Sequence, residues 1–262
     1  MSLKTCIGLL FMLSFISSIS AHARIRRPIP LAAVPENPSG NEYNKPLRRI
    51  QGNEFPFPCK NLHKQPGVNK APTEVWQAGR MGRFEILNHM SDGEGNLAPH
   101  SGGSCQASLS FDNGETWKVL HTYQGGCPRD VKFRSERAGP NQVFFFHVPA
   151  ETRAGQALFS WSWFPVTPSR SEMFQNCASV MIAGSGNDTL DHLPDMFVGD
   201  LTIAGHIDQG ECRTTLGYAV VFPDPGTALT ITEVPGVIFK EPTAGKCYAK
   251  GSKNKAATVG QM

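Results

Sequence analysis

Beyond its N-terminal segment, this chain of 262 residues lacks any apolar run long enough to cross a bilayer. It also lacks a strong charge of either sign, because 25 Lys and Arg against 22 Asp and Glu give a formal net charge of +3. No long amphipathic helical pattern and no internal repeat can be found. These absences argue against a membrane partner, a nucleic-acid partner and a helical or repeat architecture.

The one long apolar stretch lies at the N-terminus. Lys4 precedes the apolar segment 7–19, and the small residues Ser20 and Ala21 follow. This order is typical of a secretory signal peptide, so we expect residues 1–21 to be removed and the protein to be secreted and extracellular. Cleavage after Ala21 makes His22 the first residue, whereas cleavage after Ala23 also satisfies the small-x-small rule and removes that histidine.

Cysteine is scarce, and the seven cysteines lack the close paired spacing of a zinc site. Cys6 leaves with the signal peptide, and an even number in a secreted chain indicates three disulfides. Spacing alone leaves their pairing open. The sequon that begins at Asn187 predicts an N-linked glycan. The remaining cysteines are Cys59, Cys105, Cys127, Cys177, Cys212 and Cys247.

Short segments rich in aromatic and β-branched residues predict a β-sandwich. Two of them flank Asp112-Asn113-Gly114, which is a strong hairpin signal. Residues 22–75, rich in Pro, Asn and Gly, are predicted to be irregular loops, and residues 183–211 a long excursion. The four tryptophans lie in strand-like segments and are assigned mainly to the core. Strands are predicted at 105–111, 117–123, 143–148, 157–163, 178–182 and 215–222.

A histidine at the new N-terminus provides two nitrogen ligands from one residue, the α-amine and an imidazole nitrogen. One further histidine would complete a set of three nitrogens, which suits Cu(II). His22 taken by itself is more simply an incidental residue. His100 is the best second ligand, because it lies in a glycine-rich segment that Cys105 anchors to a strand. His121 and His147 lie inside predicted strands, where a packed or surface histidine is the simpler interpretation.

Seven pieces of the sequence, in order, resemble the fungal lytic polysaccharide monooxygenases, specifically the chitin-active auxiliary-activity family eleven. The resemblance covers residues 22–225, and it implies an immunoglobulin-like β-sandwich over that range with a C-terminal extension at 226–262. The pieces are the N-terminal His22 and the segments 57–60, 100–106, 108–119, 125–128, 157–164 and 172–178.

The resemblance implies one copper ion in a histidine brace, held by the amine and imidazole of His22 and the imidazole of His100. It implies oxidative cleavage of chitin with peroxide or O₂, an external electron donor and a monomeric protein. It also assigns Glu172 and Phe174 to the site. Phe174 stands where the family usually carries an axial tyrosine, and Ser171, with Arg170 one residue earlier, stands where an arginine usually precedes the glutamate.

Three disulfide pairs follow. Cys105 and Cys127 flank the predicted hairpin, Cys212 and Cys247 bracket the C-terminal segment, and Cys59 is left with Cys177. The family resemblance supports the same pairs.

The departures at Phe174 and Ser171 keep a second function open, a non-catalytic secreted copper-binding or chitin-binding protein on the same fold. A third interpretation, an adhesion-type sandwich, requires both His22 and His100 to be incidental.

Overall fold

The structure, a computed structural model, describes residues 23–31, 45–48, 55–87, 98–135, 137–201, 212–243 and 247. In these residues it contains eleven strands and a single 3₁₀ turn at Cys59–Asn61, with no α-helix. No described helix is long and apolar enough to cross a membrane. The strands are β1 Ile25–Arg27, β2 Glu74–Gln77, β3 Met81–Ile86, β4 Gly103–Ser110, β5 Lys118–Gln124, β6 Val143–His147, β7 Gly155–Pro165, β8 Phe174–Ala183, β9 Tyr218–Val220, β10 Leu229–Ile231 and β11 Ile238–Lys240.

The strands form a large sheet of order β10-β5-β4-β7-β8-β2 and a small sheet of order β1-β3-β6, with β11 and β9 pairing separately. The predicted hairpin is confirmed, since β4 and β5 pair antiparallel around the turn at 111–117. The two sheets pack face to face through aromatic rings, for example Phe146 on Phe159 with centroids 5.8 Å apart. The all-β, immunoglobulin-like sandwich predicted from the sequence is therefore confirmed.

The large sheet is buried on both faces, which explains why β4 and β7 are apolar or uncharged at nearly every position. One face packs on the small sheet, and all four tryptophans are at most 5% exposed. The other face is covered by residues 194–201 and by β9, through a second cluster that contains Phe164, Phe197 and Phe222. Both faces of β8 are thus in the interior, where polar side chains need hydrogen-bond partners.

The edges of the large sheet are short strands and loops. At one edge β10 runs parallel to β5 over Thr122–Gln124, and residues 194–196 bond to the other half of β5. At the opposite edge β2 runs parallel to the last residues of β8, and the amides of Leu31 and Thr73 bond to the carbonyls of Cys177 and Ser179. The outermost strands of the sheet are thus short, with three residues in β10 and four in β2.

The prediction of irregular loops over residues 22–75 is wrong at both ends of that range, because β1 and the start of β2 are strands. Both are too short for periodicity to show. β3 was also not predicted, although its side chains alternate between exposed and buried. The strand predicted at 215–222 is reduced to β9, and the excursion after β8 contains only isolated bridges in its described part, residues 184–201.

The six cysteines form the pairs Cys59–Cys177, Cys105–Cys127 and Cys212–Cys247. The first joins the 3₁₀ turn to β8, the second joins β4 to the segment after β5, and the third ties residue 247 back to the segment before β9. Strands β10 and β11 lie beyond residue 225 and bond to β5 and β9, while the domain boundary at that residue stays a prediction.

Candidate metal centre

One end of the large sheet gathers three of the site residues predicted from the sequence. His100 precedes β4, and Glu172 and Phe174 lie where the chain enters β8. The register pairs Gly103 with Pro165 and Trp163 with Phe174, so the start of β4, the end of β7 and the start of β8 lie side by side. The hairpin and sheet register therefore bring these three residues to the same end of the sandwich.

His100 lies in a tight turn, the His100 loop (residues 98–103), with consecutive left-handed residues. The φ angles are 45° at His100, 64° at Ser101 and 78° at Gly102, and the first two are in a region that non-glycine residues rarely adopt. Such backbone strain persists only where the surroundings fix it. The half-buried imidazole stacks on Trp163, with ring centroids 6.1 Å apart and planes 12° from parallel.

Ser101 fixes the His100 loop through hydrogen bonds to two other segments of the chain. Its buried Oγ accepts the amide of Arg134 at 2.8 Å and shares a hydrogen bond of 2.8 Å with Thr167 Oγ1. The amide of Thr167 in turn donates to the carbonyl of His100 at 2.9 Å. Trp163, on which the imidazole stacks, donates its indole N–H to the carbonyl of Cys127 at 2.8 Å. The conformation of His100 is thus fixed by residues from three other parts of the chain.

Phe174 is 1% exposed and packs against Trp163 with ring centroids 5.0 Å apart. It belongs to the buried cluster between the sheets, and so does Ala23, which is fully buried. Ala23 is the first described residue after His22. His22 itself lies outside the described residues.

Glu172 is buried, with 6% of its side chain exposed, and its carboxylate forms an ion pair with Arg170 at 3.0 Å. The arginine shifted by one position thus still reaches the glutamate. Burial raises the pKa of Glu172, while Arg170 and Arg48 lower it and Asp200 raises it further. Burial also lowers the pKa of His100.

The segment after the excursion supports the surroundings of Glu172. Asp200, which is fully buried, accepts the amide and the hydroxyl of Thr214, and the Ser171 hydroxyl donates to the carbonyl of Thr214 at 3.3 Å. Asp200 and Thr214 were not identified from the sequence, because no local pattern indicates contacts between residues that lie far apart along the chain. The other histidines of the described strands stay apart: His121 bonds to Thr230, and His147 is exposed on β6.

Among the described residues no three His, Cys, Asp or Glu side chains come together as a metal site. The residue that precedes buried Ala23 in the sequence is His22, the other predicted ligand. The predicted glycosylation residue, Asn187, has an exposed side chain. It lies after β8, between two residues that form isolated β-bridges, Gly186 and Asp188.

Sequence comparisons give the family. The AA11 family lytic polysaccharide monooxygenase A of Aspergillus fumigatus is 33% identical over 215 residues, which is 79% of this chain and 83% of that protein. A second A. fumigatus protein, AA11 family lytic polysaccharide monooxygenase B, is 29% identical over 90% of this chain and 54% of its own length. The AA11 family lytic polysaccharide monooxygenase of Aspergillus oryzae is 27% identical over 80% and 48%. This chain spans about half the length of the last two proteins.

Solved structures are less similar. A Bacillus amyloliquefaciens CBM33 protein in complex with Cu(I) is 14% identical, with a TM-score of 0.38 over 62% of this chain and 100% of that one. The catalytic domain of a Listeria monocytogenes lytic polysaccharide monooxygenase is 14% identical, with a TM-score of 0.40 over the same shares. No protein-family profile matches the chain.

The chain is a β-sandwich in which His100 and the buried Glu172 lie at one end of the main sheet, and the sequence relatives that it matches are lytic polysaccharide monooxygenases. The chain belongs to the AA11 family of lytic polysaccharide monooxygenases, which are copper-dependent oxidoreductases.

Proposed function

We propose that this protein is a secreted monooxygenase that cleaves chitin oxidatively at a single copper ion held by His22 and His100. The observation that carries the proposal is the meeting of His100, Trp163 and Phe174 in the structure, with buried Ala23 in the same cluster as the last two. The amine and imidazole of His22 with the imidazole of His100 make the three-nitrogen set that suits copper.

When bound, copper supplies one-electron redox chemistry toward peroxide or O₂, with an external donor providing the electrons. The protein's own residues do the rest. Phe174 offers no donor atom, so it would line the copper site with an apolar ring and would not bind the metal. The buried carboxyl of Glu172, oriented by Arg170, would accept or return a proton beside the oxidant.

The finer parts of the proposal rest on the sequence. Chitin as the substrate comes from the resemblance to a chitin-active family. Secretion comes from the signal-peptide pattern at residues 1–21, and three disulfides agree with an oxidising compartment. A glycan at exposed Asn187 and a monomeric state complete the proposal.

The test uses the protein with a native N-terminus, checked by intact mass to begin at His22, and loaded with one equivalent of copper. With a reductant and a low concentration of peroxide, it should release oxidised chito-oligosaccharides from chitin, detected by mass spectrometry. Cellulose under the same conditions shows whether the preference for chitin is real.

Glu172→Gln separates turnover from copper binding. The variant should bind copper with nearly the wild-type affinity and lose most of its turnover, since the substitution leaves the ligands in place. The matched control is Glu115→Gln, which removes a carboxylate that pairs with Lys64 at 3.0 Å and is 70% exposed. This variant should retain both properties.

Failure has a clear form. If wild-type protein that begins at His22 binds copper tightly and yields no oxidised product from chitin, cellulose or soluble oligosaccharides, the catalytic proposal is wrong and a copper-binding role replaces it. If that protein binds no copper, the proposed ligand set is wrong.

A further inference from the structure

A polar residue interrupts the apolar row on the inward face of β8. Alternate residues of this strand point toward the small sheet, and Asn176 is 3% exposed among apolar neighbours. Burying an amide in such a row costs free energy unless its polar atoms are bonded. The apolar members of the row are Phe174, Ala178, Val180 and Ile182, all in the cluster between the sheets.

Asn176 bonds to the N-terminal strand. Its Oδ1 accepts the amide of Ile25 at 2.8 Å, across 151 residues of sequence, and its Nδ2 donates to the carbonyl of Gln175 at 3.1 Å. Ile25 pairs with Ile86 of β3 in the small sheet, whereas Asn176 belongs to the large sheet. The amide side chain therefore joins the two sheets at the point where the chain leaves His22.

A buried polar network supports the Asn176 side chain from behind. The carbonyl of Gln175, which accepts from Asn176, also accepts from the buried ammonium of Lys60 at 3.4 Å. The Gln175 side chain accepts the amide of Cys59 at 2.8 Å and donates to Ser160 Oγ at 2.9 Å. Cys59 is bonded covalently to Cys177, the residue after Asn176. The amide of Asn176 is thus held on a rigid support.

We propose that Asn176 is a positioning residue that fixes the N-terminal strand so that the amine and imidazole of His22 meet His100. The inference rests on the proposed copper site. Only two residues lie between His22 and Ile25, so a shift of the Ile25 amide passes almost directly to the first residue. Phe174 lies two residues from Asn176 on the same face of β8. One strand therefore positions both the apolar ring beside the proposed copper site and the N-terminal strand that leads to His22.

The test compares two buried amides that each accept one distant backbone amide. Asn176→Leu removes the bond to Ile25 while keeping the volume. Gln106→Met is the control, because the fully buried Gln106 accepts the amide of Phe197 at 2.9 Å and anchors residues 194–201 instead. Asn176→Ala takes the place of the leucine variant if the latter does not fold. All variants are made with His22 as the verified first residue.

Three measurements are made on each protein: thermal unfolding and amide hydrogen exchange of residues 23–27 without metal, then Cu(II) affinity with the electron paramagnetic resonance spectrum. Both substitutions should lower Tm. Only Asn176→Leu should speed exchange at residues 23–27, change the Cu(II) spectrum and weaken Cu(II) binding by about tenfold to a hundredfold, the usual range for residues that orient ligands.

Wild-type affinity and spectrum in a folded Asn176 variant would overturn the inference, as would exchange at residues 23–27 unchanged from wild type. Equal losses of copper affinity in the Gln106→Met control would overturn it too, since they would show a general effect of destabilisation. A wild-type protein that binds no copper would overturn the ligand set instead, which distinguishes failure of the proposed function from failure of the inference.

Discussion

The two chain segments that lead to the proposed ligands are held in opposite ways. The His100 loop, residues 98–103, is continuous with the chain on both sides, has three consecutive left-handed residues and is bonded to residues 134 and 167. The N-terminal segment, residues 23–27, is ordinary extended chain at the edge of the small sheet. A ligand within the chain can be oriented by the backbone on both sides of it. A ligand at the N-terminus depends on the contacts that fix the strand that follows it.

The largest effect should come from removing the ligand on the rigid side. His100→Ala leaves Trp163 in place and deletes the imidazole, and we expect Cu(II) affinity to fall by more than about a thousandfold, equivalent to about 4 kcal/mol. Isothermal titration calorimetry measures this loss. His121→Ala, which removes the half-buried histidine on β5, is the control and should bind copper normally. Wild-type affinity in His100→Ala would show that His100 is not a ligand.

The ligand at the N-terminus, the α-amine of His22, can be removed without substituting any residue of the fold. A single glycine added before His22 turns the α-amine into an amide, and we expect copper affinity to fall by at least about a hundredfold, because a ligand and not merely its support is lost. The same glycine added after Met262 is the control. Thermal unfolding without metal should be unchanged in both proteins, and equal copper binding by the two would contradict the proposed role of the amine.

Loosening the His100 loop should have a smaller effect than removing its ligand. Ser101→Ala leaves the buried amide of Arg134 without its acceptor, which should destabilise the protein by about 1–3 kcal/mol and reduce copper affinity as well. Denaturant unfolding and copper titration measure the two effects. Ser135→Ala, which removes an exposed hydroxyl from the same neighbourhood, should alter neither. A stable Ser101→Ala protein would mean that the strained turn is held elsewhere.

A buried histidine that lies outside both segments contributes to the loss of folding stability at acid pH. His63 is 2% exposed, contacts the turn at Gly114, and within the described residues neither ring nitrogen has a hydrogen-bond partner. Burial lowers the pKa of His63 from 6.5, as do Lys64 and Lys70, against an opposing effect of Glu115. The unfolded chain therefore takes up a proton below pH 6.5 that the folded chain refuses, so stability falls as the pH falls through that window.

His63→Phe should remove this contribution to the loss of folding stability at acid pH. We expect it to be the smallest of the four effects predicted in these paragraphs. Free energies of unfolding at pH 7.5 and pH 5 measure it, and the difference between the two pH values should shrink relative to wild type. His147→Phe on the exposed face of β6 is the control. Identical pH dependence in wild type and His63→Phe would show that other groups carry the acid sensitivity.

Much of the sandwich could be predicted because its signals are local. The turn Asp112-Asn113-Gly114 and the aromatic runs of β6 and β7 specify strands without reference to the rest of the chain. Besides β3, whose six residues alternate between exposed and buried side chains, the strands that were not predicted are β1, β2, β10 and β11. These four have three or four residues each and owe their conformation to the neighbour they pair with. Their existence is decided by tertiary contacts, which a window of sequence does not contain.

The site divides in the same manner. His100 could be proposed as a ligand from its glycine-rich surroundings and from the family motifs, and Glu172 and Phe174 could be proposed as site residues from the motifs alone. Ser101 and Asn176 could not, because their partners lie 33, 66 and 151 residues away. The arginine displaced by one position suggested an altered environment for Glu172, yet a loop without regular structure lets Arg170 reach the carboxylate regardless.

The short parallel strands at the two ends of the large sheet also bear on self-association. A long open strand edge is a template on which a second copy can add a strand. Here β10 and residues 194–196 occupy one edge, and β2 with the amides of Leu31 and Thr73 occupies the other. Copies crowded together would therefore find only short edge strands, of three and four residues, on which to add a strand, although each exposes apolar side chains such as Val75 and Ile231 at those edges.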